Sequence, residues 1–457
     1  MRGYIRPVTL FPALFSVFPF FRNSVQYAHP HITPMNLDAV LSALHEEPLR
    51  GAFAPFWDAA QAVFPDHRPA FLQPDTLRDA WQYGSFNEAF PAAVTALADR
   101  IAGDPALLRL AWYVHWRVFA GPRESLQWEW PELRASLGDD AGLFYLTAAL
   151  AFIPAVRAYH ATLPLPEQVT RDTCRQVACY AANYRRGNPG RLGLYRGQIG
   201  WLATYLAPNL FFRIGRFEFW RMPYAGDYRV YRRQGSGETV VLAADNVRFT
   251  AAGDRCFAPA QPEPPGSWLS SFAETAETVT GNPVSPFGKA LPRRVCLLHH
   301  EWRCVLKKGD IVLDLHIPSG GDMTPEACQS SFQEALALFG QRFPDPAPRA
   351  IVCTSWMFSE QLEDCLPPEA NLVRLLRELY LVPVPATPNE GLWFVFLQSP
   401  FDAATAPRDT RLQRAILDYL GTGRSWHNGG MILLPEEVAT FGAHPYRTAW
   451  PQLLTGL

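Results

Sequence analysis

At 457 residues the chain exceeds what one hydrophobic core usually organises, so two domains are expected. A content of 48% apolar and 18% charged residues excludes a disordered chain. With 41 basic against 43 acidic residues, a net charge of -2, no global field draws it to nucleic acid or to an anionic membrane. Eight cysteines without a C-x-x-C and eleven histidines without an H-E-x-x-H disfavour both a disulfide framework and a metal site, and scattered reduced thiols fit a cytoplasmic protein.

Arg2 and Arg6 precede an apolar run, 8–21, that superficially suggests a signal peptide or membrane anchor. The run falls short of the roughly 20 residues that cross a bilayer core, and Pro12 and Pro19 interrupt it. Residues 1–34 are therefore expected to be a disordered extension or a misassigned start, with Met35 the better beginning. Asn36 then caps a helix in which Leu37, Val40, Leu41 and Leu44 recur at helical spacing. Residues 35–207 read as an all-helical domain, with one stripe through Phe86, Phe90, Val94, Leu97 and Ile101 and another through Leu108, Ala111, Trp112, His115 and Phe119. Asp75, Asp104 and Thr170 are candidate N-caps, and Gly103 and Gly121 candidate stops. Trp112, Trp116, Trp128 and Trp130 are read as core rather than as a stacking platform.

Beyond residue 207 the period changes to alternation, and residues 208–457 are expected to form a mixed α/β layer, making the chain α+β. Phe217 and Phe219 alternate with Arg216, Glu218 and Trp220, and a meander continues through 228–232, 239–242 and 246–249. The proline-rich stretches 258–266 and 281–292 read as loops. Residues 295–306 and 310–318 predict a hairpin turning at Lys307-Lys308-Gly309, and 350–356 and 392–397 predict two further strands. Helices are expected from Pro325, over 372–379 and over 411–420.

The stretch 309–326 carries the most chemistry. Alternation puts Asp314 and His316 on one strand face, where the carboxylate can orient the imidazole and raise its basicity. Ser319, Gly320 and Gly321 follow, letting backbone amides approach a ligand, and Thr324 with Pro325 specifies a helix start, so strand, glycine loop and helix N-terminus make an anion seat. In the strand ending at Trp356, Cys353 and Ser355 share a face and are candidate nucleophiles should that strand neighbour His316.

Several stretches together resemble a known family: I-G-R-F-E-F at 214–219, L-H-I-P-S-G at 315–320, C-T-S-W at 353–356, Asn371-Leu372, and L-Q-R-A-I at 412–416. They are similar to bacterial acyltransferases with a helical N-terminal domain, N-acyltransferase N-terminal-like, and a GNAT-like (N-acetyltransferase-like) C-terminal domain. The resemblance implies that 310–318 is the strand along which an acyl-CoA or acetyl-CoA co-substrate lies, that the helix from Pro325 receives its pyrophosphate, and that 350–356 is the splayed partner strand. Ser319, Gly320, Gly321 and Thr324 are then the donor-binding residues.

The sequence thus points to transfer of an acyl group from a thioester to an amine of a small molecule or peptide. His316 serves as base, Asp314 orients it, and Ser355 is the nucleophile of a covalent variant. The rival reading is a catalytically silent GNAT-like module that binds a small ligand or partner protein, because 319–324 does not reproduce the Arg/Gln-x-x-Gly-x-Gly/Ala loop typical of that fold. Neither nucleic acid, membrane nor metal is expected as a partner, and oligomeric state is not legible. Because residues 1–34 present no periodic face to a core, a chain beginning at Met35 is expected to keep the solubility and melting temperature of the full chain. A drop of several degrees would show that the extension docks.

Overall fold

The computed structural model describes residues 35–456 except 123–128, 257–262 and 386, with side chains to residue 450. The 1–34 extension, Trp128 and most of the 258–266 loop lie outside the described residues. The chain divides into two compact units, one running to Thr162 and including Cys174–Ala207, the other comprising Leu163–Thr173 and everything from Pro208.

The first unit is helical. Asn36 accepts from Ala39 N and starts the Leu37–Leu44 helix, which buries Val40, Leu41 and Leu44. Asp104 likewise accepts from Ala106 N and Leu107 N and starts Pro105–His115. The expected Phe86–Ile101 stripe is split, because Pro91 cannot continue a helix and Ala92–Gly103 begins after it; Phe86 instead stacks on Trp81 at 3.7 Å. Asp75 lies within the first turn of Pro74–Tyr83 rather than at its cap, where its charge still complements the helix dipole. Tyr113 stacks on Phe53 at 4.6 Å, and Trp130 meets Phe53 edge-on at 6.3 Å. Trp116 and Trp130 are buried, and Trp112 donates to Ala60 O at 2.7 Å, so all three pack as core. The stretch Arg134–His160 is long and apolar enough to cross a membrane, but 72% of its 18-residue apolar window is buried inside this protein.

The second unit is built on a sheet of six strands in the order β1 (Leu210–Ile214), β2 (Phe217–Pro223), β13 (Ile311–His316), β14 (Ile351–Ser355), β16 (Gly429–Leu433) and β15 (Tyr380–Pro383). Between β2 and β13 the chain inserts a second β-layer: β3 (Tyr228–Arg233), β4 (Thr239–Ala243), β5 (Arg248–Phe249), β6 (Trp268–Leu269), β7 (Phe272–Glu274), β8 (Thr278–Gly281), β9 (Pro283–Ser285), β10 (Lys289–Ala290), β11 (Val295–Leu298) and β12 (Trp302–Leu306). Its largest sheet runs β10-β9-β4-β3-β12, and Tyr231, Leu242, Val279, Leu297 and Trp302 form a cluster on it that Trp450 of the C-terminal segment completes. The 281–292 stretch, expected as loop, thus supplies β9 and β10.

The predicted 295–318 hairpin does not form. Both flanks of β13 are taken, by β2 in antiparallel register from Ile311↔Pro223 to His316↔Glu218 and by β14 in parallel, so β12 pairs with β3 instead. Residues 392–397 are also not a strand. Leu392–Phe396 is a short helix between Gly391 (φ 85) and Leu397 (φ 53), both left-handed, and a Cβ at Gly391 would sit 2.7 Å from Trp356 Cβ. The places that stretch was expected to fill belong to β15 and β16. The helix Pro325–Arg342 covers one sheet face, where Phe332 stacks on Phe217 at 5.2 Å and Phe339 on Phe212 at 5.7 Å. Ser331 Oγ donates to Ile214 O at 2.5 Å and accepts from Phe217 N, pinning the β1–β2 turn to that helix. Thr170, expected as a cap, lies inside the Glu167–Cys174 helix. Thr173 of the same helix accepts from Arg213 N at 3.0 Å through Oγ1, covering a donor of edge strand β1.

Two histidines in the helical unit, His115 half-buried and His160 buried, make its stability depend on pH. His115 stacks on Phe71 at 4.4 Å and His160 is 3% exposed, and burial lowers each imidazole to about 4. An unfolded histidine titrates near 6.5, so protonation favours the unfolded chain; the stability is present above that value and is lost as pH falls from it toward 4. The melting temperature is expected to drop over that window, with the drop reduced in His115→Phe and His160→Gln. An identical profile in wild type and both variants would contradict this.

Candidate active site

The site is set by where a ladder stops. The parallel pairing of β13 with β14 covers Leu313↔Ile351 and Asp314↔Val352. Beyond it β13 stays with β2 to His316↔Glu218, and β14 stays with β16 to Ser355↔Gly429. Leu315 O, next in line, accepts from the Cys353 thiol at 2.9 Å instead of from a backbone N–H. The sheet is thereby open between the carboxyl ends of two parallel neighbours.

Asp314 and His316 stand at this opening with Asp314 Oδ2 3.4 Å from His316 Nε2, each side chain about 30% exposed. The imidazole lies beside the rings of Phe211 and Trp220, at centroid distances of 5.1 and 6.4 Å. The structure thus brings these two side chains together. Cys353 and Ser355 are not brought to them. Because Asp314 pairs with Val352, strand alternation sends Cys353 and Ser355 to the opposite face, that of Leu313 and Leu315. Ser355 Oγ accepts from Met357 N at 3.2 Å and caps the next turn. Burial and the Asp314 carboxylate raise the Cys353 thiol well above its ordinary value, keeping it protonated.

Ser319, Gly320 and Gly321 follow directly. Both glycines have φ 78, in the left-handed region that a side chain would strain. Thr324 Oγ1 accepts from Ala327 N at 3.2 Å and starts the 18-residue helix. Arg216 of the β1–β2 turn reaches this loop, donating from Nη1 to Pro318 O at 2.9 Å, and its Cδ lies 3.5 Å from where a Gly321 Cβ would be. Arg216 was not singled out in the sequence because the loop lies 102 residues away. It adds the cationic side chain that the glycine loop itself lacks.

A cavity of about 220 Å³ flanks the same helix, lined by Glu326, Gln329, Arg374, Arg377, Glu378 and His444. It mixes both signs of charge and does not include His316. Asp254, Glu360 and His427 place ligand atoms within 4.8 Å of one another. The Lys289 ammonium already contacts Asp254 and sits 2.6 Å from Glu360 Oε1, so the chain supplies that cluster's cation itself.

Residues 75–207 match the N-acyltransferase N-terminal domain and residues 211–433 the GNAT-like C-terminal domain. No curated protein sequence matches the chain. Among similar solved structures, an acyltransferase in complex with CoA and 10C-teicoplanin is 22% identical, covering 88% of this chain and 99% of that one at a TM-score of 0.57. Another, in complex with decanoyl-CoA and teicoplanin, has the same identity and coverage and a TM-score of 0.56. An acyltransferase variant with octanoyl-CoA is likewise 22% identical over 88% and 99% of the two chains, at 0.57. At that identity the likeness establishes a shared fold. The two matched domains, in this order, make the chain a member of the family that joins an N-acyltransferase N-terminal domain to a GNAT-like C-terminal domain.

Proposed function

We propose that the protein transfers an acyl group from a coenzyme A thioester to the amine of a small molecule or peptide. The observation that carries this reading is the opening between β13 and β14, with an imidazole–carboxylate pair at its mouth and a glycine loop, an arginine and a helix N-terminus beside it. A pantetheine arm is a narrow chain of amides, suited to lie along strand backbone that the ladder leaves unused. Its phosphates fit the seat of Gly320, Gly321, Arg216 and the Thr324-capped helix. Similar structures were crystallised with CoA, octanoyl-CoA, decanoyl-CoA and teicoplanin, which favours long acyl chains and a large acceptor here.

His316 is the base. The Asp314 carboxylate, 3.4 Å from Nε2, favours the tautomer with its hydrogen on that nitrogen, which leaves Nδ1 as the basic lone pair. The acceptor amine attacks the thioester carbon and its proton passes to Nδ1. The C–S bond then breaks, and the sulfur leaves as thiolate to be protonated from imidazolium or water. The transfer is direct, since Ser355 and Cys353 lie on the other face.

Titration calorimetry with acetyl-, octanoyl- and decanoyl-CoA is expected to show binding, tightest for the longer chains. His316→Ala is expected to lower kcat by roughly 10² to 10⁴ with donor affinity nearly unchanged, Asp314→Asn by less, and Ser355→Ala hardly at all. Gly320→Val should raise the donor KM, through strain at a left-handed position and a blocked phosphate approach. Unchanged turnover in His316→Ala would return that residue to a structural role, and failure of every acyl thioester to bind would make the protein a silent binding module.

A further inference from the structure

Strand β2 places one carboxylate, Glu218, between Phe217 and Phe219, and Glu218 is 2% exposed. A carboxylate that deep is unfavourable unless the fold presents opposite charge to it. The register presents two such groups. Arg213 of β1, 7% exposed, is directly opposite Glu218 on one side, and His316 of β13 is directly opposite on the other. Directly opposed residues share a face and have Cβ atoms about 4.5 to 5.5 Å apart. Arg213, Glu218 and His316 therefore form one row across three strands.

The next row is Phe211, Trp220, Asp314 and Val352. Asp314 thus approaches the imidazole along its own strand, and Glu218 approaches it from the neighbouring strand. Of the charged groups on this sheet face, Asp314 and Glu218 adjoin His316, and Arg213 stands behind Glu218, while β14 offers Val352. We propose that Glu218 is the positioning residue of His316: it fixes the ring from β2 and stabilises the imidazolium formed when the acceptor's proton arrives, with Arg213 directly opposite Glu218 on its other side. This role rests on the reading of His316 as base. Asp314 is partly open to solvent, which screens its charge, whereas Glu218 is enclosed and acts at lower effective dielectric. Its effect belongs to turnover rather than to donor binding, because its opposed neighbours are Arg213 and His316, not the 319–324 loop.

Glu218→Gln keeps the shape and removes the charge. It is expected to lower kcat roughly 10- to 100-fold with the donor KM within about twofold, and to add little further loss in a His316→Ala background. Glu218→Asp should recover part of the loss, and it carries the test by the same measurements should Glu218→Gln fail to fold. In the resting protein the ¹⁵N imidazole signals of His316, assigned by their disappearance in His316→Ala, should move in Glu218→Gln. Wild-type kcat with unmoved signals overturns the proposal, as does a fall in kcat without a shift, or one equally large without His316. If His316→Ala keeps full turnover while the signals still move, the base reading fails and the placement of Glu218 stands. If His316→Ala is inactive and Glu218→Gln is silent in both measurements, only the role of Glu218 fails.

Discussion

The constraint on which the proposed active-site region depends is that β13 does not stay paired with both neighbours. It keeps six antiparallel partners on β2 and gives up β14 after two. A full parallel ladder would satisfy the backbone but close the sheet. The fold instead leaves the carboxyl end of β13 exposed along one side and covers the first unused carbonyl with the Cys353 thiol. Everything assigned to chemistry lies within a few residues of that point: Asp314 and His316 before it on the strand, the two left-handed glycines after it, and the capped helix beyond. Local backbone geometry, more than a deep pocket, makes this site.

The local parts of this arrangement were legible in the sequence. Alternation brought Asp314 and His316 to one face, and Thr324-Pro325 marked the helix start, because both signals act over a few residues. Partners set by register were not. Glu218 and Arg213 become neighbours of the site only through strand pairing across β1, β2 and β13, and Ser355 moves away from it for the same reason, one parity step in β14 deciding the face. Strand β16 was hidden by its own opening residues. Gly429 and Gly430 carry little β-propensity, but a Cβ on Gly429 would lie 1.9 Å from Phe358 O, so tertiary closeness demands glycine where propensity disfavours it. Residues 392–397 erred the other way. Their aromatic and β-branched character predicts a strand, but two left-handed residues confine the segment to one short helix.

The charged side chains divide by environment. Most ion pairs of the helical unit, such as Arg50 with Asp38, are exposed and contribute little. In the second unit the Lys289 cluster ties strand β10 of the inserted layer to Glu360, just beyond β14, and Arg447 grips Glu363 with both Nη atoms. These contacts join segments far apart in sequence, so their value is in specifying arrangement more than in raw stability.

The position of the inserted layer bears on how the domain assembles. β2 and β13 are neighbours in the sheet, yet the whole β3–β12 layer separates them along the chain, and Pro223 must meet Ile311 across it. Bringing two such distant segments together from an unfolded chain carries a large loop-closure entropy. Most of one buried cluster comes from the insertion itself, and condensation of that cluster would return its two ends to one place, converting a long closure into a short one. The β2–β13 pairing is then reached through the layer that interrupts it, so sequence change inside that layer bears on how readily the two strands meet even where it touches no residue of the site.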